Sequence, residues 1–80
     1  MQDKETLIAS IDKVHTTEMG VGRISRNLEI TGDVVEYCKE KILKNESKVK
    51  RNGKNYYVEI DDCIITVNAS SYTIITAHKK

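Results

Sequence analysis

Two residues in the second half of the chain have the chemistry of an acid–base pair: Glu59 in KNYYVEI and His78 in IITAHKK. Cleavage of RNA by its own 2′-hydroxyl needs a base for that proton, an acid for the leaving oxygen and a cation beside the phosphorus. Glu59 and His78 could fill the first two roles, with Lys48 or Lys50 as the cation. Tyr57, Thr66 and Asn68 add an aromatic face, a hydroxyl and an amide, suited to a polar, flat or phosphorylated ligand. His15 and Arg23 are further phosphate ligands offered by the first half. No triad spacing enforces the pairing, so binding without turnover stands beside catalysis. His15, in VHTTE, reads also as a structural hydrogen-bond partner, and Arg23 and Arg26 as ion-pairing residues on a helix surface.

These residues sit in a stretch whose apolar residues alternate at the period of a strand. Asn52-Gly53 is a strong hairpin signal, because a type I′ turn needs positive φ at both central positions. Asp61-Asp62 and Ala69-Ser70-Ser71 separate the following pairs. Four strands are therefore expected at about 47–51, 54–60, 63–68 and 72–78, joined as an antiparallel meander. With tight turns, Arg51 pairs with Lys54, Ile60 with Cys63, Asn68 with Tyr72 and Cys63 with Ala77. One face then carries Val49, Tyr56, Val58, Ile60, Cys63, Ile65, Val67, Thr73, Ile75 and Ala77 and is expected to hold the helices. The other carries Lys48, Lys50, Tyr57, Glu59, Ile64, Thr66, Asn68, Tyr72, Ile74, Thr76 and His78. On that open face, Ile64, Tyr72 and Ile74 would form an apolar patch, a reason for a protein partner or a homodimer.

The first half repeats apolar residues at helical spacing. Leu7, Ile8, Ile11 and Val14 form one stripe, with Asp3 as a cap. Val21, Ile24 and Leu28 form a second after Thr16 or Thr17, and Gly20 and Gly22 weaken that helix or mark a close approach. Asp33 with Glu36 has the form of a capping box ahead of Val34, Val35, Cys38 and Ile42. Asn45 is the expected exit. Two consecutive helices also match a helix-turn-helix DNA-binding regulator, although DVVEY is an acidic start for a helix that must meet phosphates. The two glycines of GVG follow no strand and precede no Lys-Ser or Lys-Thr, so they are not a phosphate loop.

A chain of 80 residues makes one domain, 1–80, with a helical half at about 3–45 and a meander at about 47–78. The net charge is +1, so no overall field recruits nucleic acid. Between Lys39 and Lys54, however, seven basic residues face two acidic ones. That excess would draw a phosphate, or it would simply solvate a helix end and guard an edge strand. Cys38 and Cys63 have no metal spacing and fall on apolar faces, as expected of reduced, buried thiols. No zinc, calcium or haem pattern is present, so no metal or cofactor is expected. MQDKETLIAS is too charged for an export signal, and no apolar run approaches a membrane span, so a cytoplasmic protein with no membrane partner is expected.

Three stretches, HTTEMGVGRISRNL, GKNYYV and ITVNASSYTIITAHK, together resemble a small bacterial domain-of-unknown-function family, number 3781. That resemblance covers most of the chain from His15 onward and implies no activity. The architecture and the last strand, IITAH, also look like the barnase–EndoU–colicin–RelE class of small ribonucleases. That likeness implies an active site on the open face, with Glu59, Thr76 and His78 in catalytic positions. The expected fold is α+β, with two or three N-terminal helices on one face of a four-stranded antiparallel meander. The expected function is action on RNA or a nucleotide at the open face, as a metal-independent ribonuclease or a binder. The alternatives are a non-catalytic protein that sequesters a phosphorylated ligand or inhibits a protein partner, and the helix-turn-helix regulator.

Overall fold

Polar caps start the helices where the apolar periodicity begins. The computed structural model describes residues 3–80. Helix α1 spans Asp3–Ala9, α2 Glu18–Leu28 and α3 Val34–Leu43, with a 3-10 turn at Ile11–Lys13. The Thr17 hydroxyl accepts the Gly20 N–H at 3.0 Å, and an Asp33 carboxylate oxygen accepts the Glu36 N–H at 3.0 Å. Each cap satisfies a donor that a helix start would otherwise leave unpaired. Asp3 has a different partner, the backbone N–H of Arg51 at 3.1 Å, which ties α1 to the sheet edge.

The stripe expected along α2 holds at Ile24 and Leu28 and differs at its first position. Gly20, Ile24 and Leu28 are buried, and Val21 is 41% exposed. A Cβ on Gly20 would lie 2.1 Å from the Thr16 hydroxyl, so only glycine lets the helix press against the chain entering it. Gly22 has open space around it and no such duty. In α3, Val34, Cys38 and Ile42 are buried as the spacing predicts, with Val35 half-buried.

Strands β1 (Lys48–Asn52), β2 (Asn55–Ile60), β3 (Cys63–Asn68) and β4 (Ile74–Lys79) form one antiparallel sheet in the order β1-β2-β3-β4. The architecture is thus α+β, three α-helices followed by a four-stranded meander. Leu7, Ile24, Ile42, Val58, Ile65, Val67 and Ile74 meet in a single core between helices and sheet. The first hairpin turns one residue later than Asn52-Gly53. Asn52 pairs with Asn55, Arg51 with Tyr56 and Val49 with Val58, and Gly53 takes the positive φ of 62°. The shift is two residues in pairing, so every side chain keeps its expected face. At the second turn Ile60 pairs with Cys63, and Asp61 and Asp62 have φ of 49° and 61°. Asp tolerates that left-handed geometry better than most side chains.

The last hairpin departs further. Asn68 N–H donates to Thr73 O at 2.8 Å, not to Tyr72, and Tyr72 has a φ of 59°. Val67 then pairs with Ile74, and Thr66 with Thr76, so Ile75 is an extra, bulged residue. Beyond the bulge Ile65 pairs with Ala77, Ile64 with His78, and Cys63 with Lys79 rather than Ala77. The bulge reverses the expected facing of three residues. Ile74 is 1% exposed in the core, Ile75 is 40% exposed, and Tyr72 packs against the core cluster. The apolar patch expected of Ile64, Tyr72 and Ile74 is therefore not formed from those three residues.

The bulge makes neighbouring isoleucines unequal. Ile74→Ala is expected to lower unfolding free energy by about 2–5 kcal/mol, as for a buried large-to-small change. Ile75→Ala should stay within about 0.5 kcal/mol of the parent. Urea denaturation of both variants measures this, and the reverse ranking would mean an unbulged β4.

Candidate ligand site on the open sheet face

The registers align the candidate residues into two rows across the sheet. Lys48, Glu59, Ile64 and His78 are successive cross-strand partners from β1 to β4, and so are Lys50, Tyr57, Thr66 and Thr76. Strands lie about 4.8 Å apart and like-facing residues about 6.8 Å apart along a strand. The rows thus grade from ammonium groups on β1, through a carboxylate and a phenol, to hydroxyl and imidazole on β4.

A groove of about 390 Å³ opens on this face, lined by Lys48, Lys50, Tyr57, Glu59 and Ile64. Its size is in the lower range of small-molecule sites. The apolar floor is Ile64, which no motif marks. Its exposure follows only from its place between Glu59 and His78. Tyr57 is 38% exposed, which leaves a ring face for stacking. Neither Lys48 nor Lys50 makes an ion pair with another described residue. Thr66 lies in the row of Lys50 and Tyr57 but is 6% exposed and does not line the groove, so it offers no free hydroxyl there.

Glu59 is not joined to His78. One strand separates them, about 10 Å between backbones, with Ile64 between. The Glu59 carboxylate instead meets the Lys80 ammonium at 2.8 Å. That hydrogen bond, the Lys80 charge and then Lys48 and Lys50 hold the Glu59 carboxyl below its ordinary range. A carboxylate so stabilised is a weak proton acceptor. It is well suited to accept hydrogen bonds from a ligand.

The remaining candidates lie elsewhere. Arg23 is exposed on α2, on the helical side of the sheet. His15 forms a parallel bridge to Thr73, its Nδ1 2.8 Å from Lys13 O and its Nε2 3.1 Å from the Thr73 hydroxyl. Asn68 is occupied by the β3–β4 connection, where its side-chain oxygen accepts the Ser70 and Ser71 N–H groups, both at 2.8 Å. Around the second turn, Lys41 at 2.6 Å and Lys44 at 2.9 Å converge on Asp61. The hydrogen bond from Lys41, then that from Lys44, lowers the Asp61 carboxyl to about 2. Both cysteines are free and buried, and burial pushes the Cys38 thiol up to about 12, so it is an inert core residue. Among the described residues no three His, Cys, Asp or Glu side chains cluster as metal ligands, and no helix is long and apolar enough to cross a membrane.

These carboxylates make a direct titration test. Both have folded-state values below their ordinary ones, so each ion pair stabilises the fold above the ordinary value and is lost as pH falls through the lowered one. In side-chain carboxyl NMR titrations, Asp61 should have its midpoint near pH 2, and Lys80→Ala should move the Glu59 midpoint upward. An unmoved Glu59 midpoint would mean that the Lys80 contact is absent in solution.

The family described as Protein of unknown function (DUF3781) matches residues 8–78. No curated protein and no solved structure matches the chain. The likeness to small ribonucleases therefore gains no support. The match runs from the end of α1 through α2, α3 and the meander to His78, and the chain belongs to the DUF3781 family.

Proposed function

We propose that the open sheet face binds a nucleotide, free or within a single-stranded RNA, without cleaving it. The observation carrying this reading is the groove in which two unpaired ammonium groups, Lys48 and Lys50, stand beside the exposed Tyr57 ring and the apolar Ile64. A base stacks on Tyr57 and covers Ile64, in the manner of single-strand binding platforms. The phosphate meets Lys48 and Lys50 along the β1 edge. Glu59 accepts a hydrogen bond from a base amino group or a ribose hydroxyl. Thr76 and His78 extend the same face toward β4.

Cleavage is the weaker reading because its base and acid do not meet: Glu59 is ion-paired with Lys80 and separated from His78 by Ile64. Two free, buried thiols suit a reducing interior, so the protein is proposed to work in the bacterial cytoplasm.

Fluorescence anisotropy with a labelled oligouridylate, and competition by uridine monophosphate, test the proposal. Tyr57→Ala should weaken binding by about 5- to 150-fold, equivalent to about 1–3 kcal/mol for one stacked base. Replacing both Lys48 and Lys50 by Ala should reduce the slope of log affinity against log salt by about 1.4, two contacts at about 0.7 each. Absence of saturable binding by either probe sinks the proposal. RNA shortened in EDTA, with the loss of that activity in His78→Ala, would replace binding by cleavage.

A further inference from the structure

A second site lies at the opposite end of β3. The segment ahead of α2 lays His15 against the start of β4: its N–H donates to Tyr72 O at 3.1 Å, and its carbonyl accepts the Ile74 N–H at 2.6 Å. This backbone bridge sets the imidazole beside Thr73, with Nε2 3.1 Å from the Thr73 hydroxyl. The Thr73 hydroxyl is in turn 2.8 Å from that of Ser71. Two segments distant in sequence thus meet here: the one before α2 contributes a base, and the β3–β4 connection a relay and an exposed terminal hydroxyl.

The ring proton of the neutral imidazole is placed by its neighbour. His15 Nδ1 lies 2.8 Å from Lys13 O, and a carbonyl only accepts, so Nδ1 carries the ring proton of the neutral imidazole. Nε2 is then an acceptor, and Thr73 donates to it. Thr73 oxygen has lone pairs left for the Ser71 proton. Ser71 has one proton and two acceptors within reach, Asn68 Oδ1 at 3.2 Å and the Thr73 oxygen at 2.8 Å, and the relay uses the rotamer that donates to Thr73. A nucleophile, a base, and an orienting acceptor on the base's other nitrogen are the parts of an activated hydroxyl site.

Asn68 supplies the part that stabilises charge. Its Oδ1 takes the Ser70 and Ser71 N–H groups, which fixes the amide plane, and its Nδ2 makes no hydrogen bond among the described residues. Its Oδ1 faces Ser71, and the free N–H of the same fixed amide is the donor nearest in sequence that a developing oxyanion would need. A groove of about 400 Å³ lined by Arg51, Lys54, Asn68, Ala69 and Ser70 ends one residue short of Ser71 in the chain. Those two cations suit a substrate that carries negative charge.

We propose that Ser71, relayed through Thr73 to His15, is the nucleophile of an acyl-transfer site that hydrolyses small anionic esters docked on Arg51 and Lys54. Ser71 Oγ bonds to the acyl carbon and the ester C–O bond breaks. The Ser71 proton passes to Thr73 as the Thr73 proton passes to His15 Nε2. The imidazolium then protonates the leaving alkoxide. Water, deprotonated by the same relay, attacks the acyl-serine and releases the carboxylic acid and Ser71.

The test uses the full chain with the 4-nitrophenyl monoester of succinic acid, following nitrophenolate release and locating the adduct by mass spectrometry of peptides. The expected result is a succinyl group on Ser71, absent in Ser71→Ala. Acylation should be slower by about 100-fold or more in Thr73→Val and in His15→Ala, with added imidazole restoring the His15→Ala rate. Arg51→Ala with Lys54→Ala should raise KM for the anionic ester by a larger factor than for neutral 4-nitrophenyl acetate. Circular dichroism establishes that each variant is folded, and Thr73→Val leaves the backbone bridge in place should His15→Ala unfold. No adduct on Ser71, or an adduct formed at the parent rate in folded Thr73→Val, overturns the proposal.

Discussion

Strand β4 must send both Ile74 and Ala77 into the core, and a regular strand cannot do so. Side chains alternate between faces, so residues three apart point in opposite directions. The bulge at Ile75 resolves this with one unpaired residue. Without it, either Ile74 would face water, at a cost of about 1.5–3 kcal/mol for a large aliphatic side chain, or Thr76 and His78 would turn inward. The bulge sits next to the only isolated parallel bridge among the described residues, His15 to Thr73. The chain before α2 thereby occupies backbone groups at the start of β4 that would otherwise form an open edge.

The two ends of the sheet handle charge differently. Of the basic residues between Lys39 and Lys54, Lys41 and Lys44 are taken up by Asp61, which fastens the β2–β3 turn to α3. Arg51 donates to Gly53 O and lies over the Tyr56 ring. Lys48 and Lys50, on the open face, have no ion-pair partner among the described residues. A local excess of positive charge in the sequence is therefore divided between a structural tether and a free pair. The free pair also deters edge-to-edge association of β1, a role that is compatible with phosphate binding.

Much of this was legible beforehand. Thr17 and Asp33 announced α2 and α3 because a capping side chain acts within three residues of itself. Strand existence and the facing of β1 to β3 followed from alternation, and a two-residue error in the first hairpin was harmless for the same reason. The bulge was not legible, because IITA offers two isoleucines in succession and alternation cannot choose between them. Gly20 in place of Val21 on the buried stripe depended on the approach of Thr16, a tertiary contact. The pairing of Glu59 with Lys80 and the bridge of His15 to Thr73 join residues 21 and 58 positions apart, and no local pattern encodes them. The rows of the open face were thus readable as a set, whereas the partners that decide each residue's chemistry were not.

A domain of this size has one core and uses one sheet face to make it. Any ligand site must then be built on the other face or at the sheet's ends, where side chains are free of packing duties. Both arrangements described above obey that constraint, and β3 carries a part of each: Ile64 floors the groove beside Glu59, and Asn68 orders the loop before Thr73. Four residues of extended strand set them about 13 Å apart. As the central partner of β2 and β4, with Ile65 and Val67 fully buried, β3 is the best-anchored strand. Positional precision at either end therefore derives from the same buried pair, and a substitution that loosened Ile65 or Val67 would disturb both ends together, whereas one at Lys50 or Ser71 would disturb its own end alone.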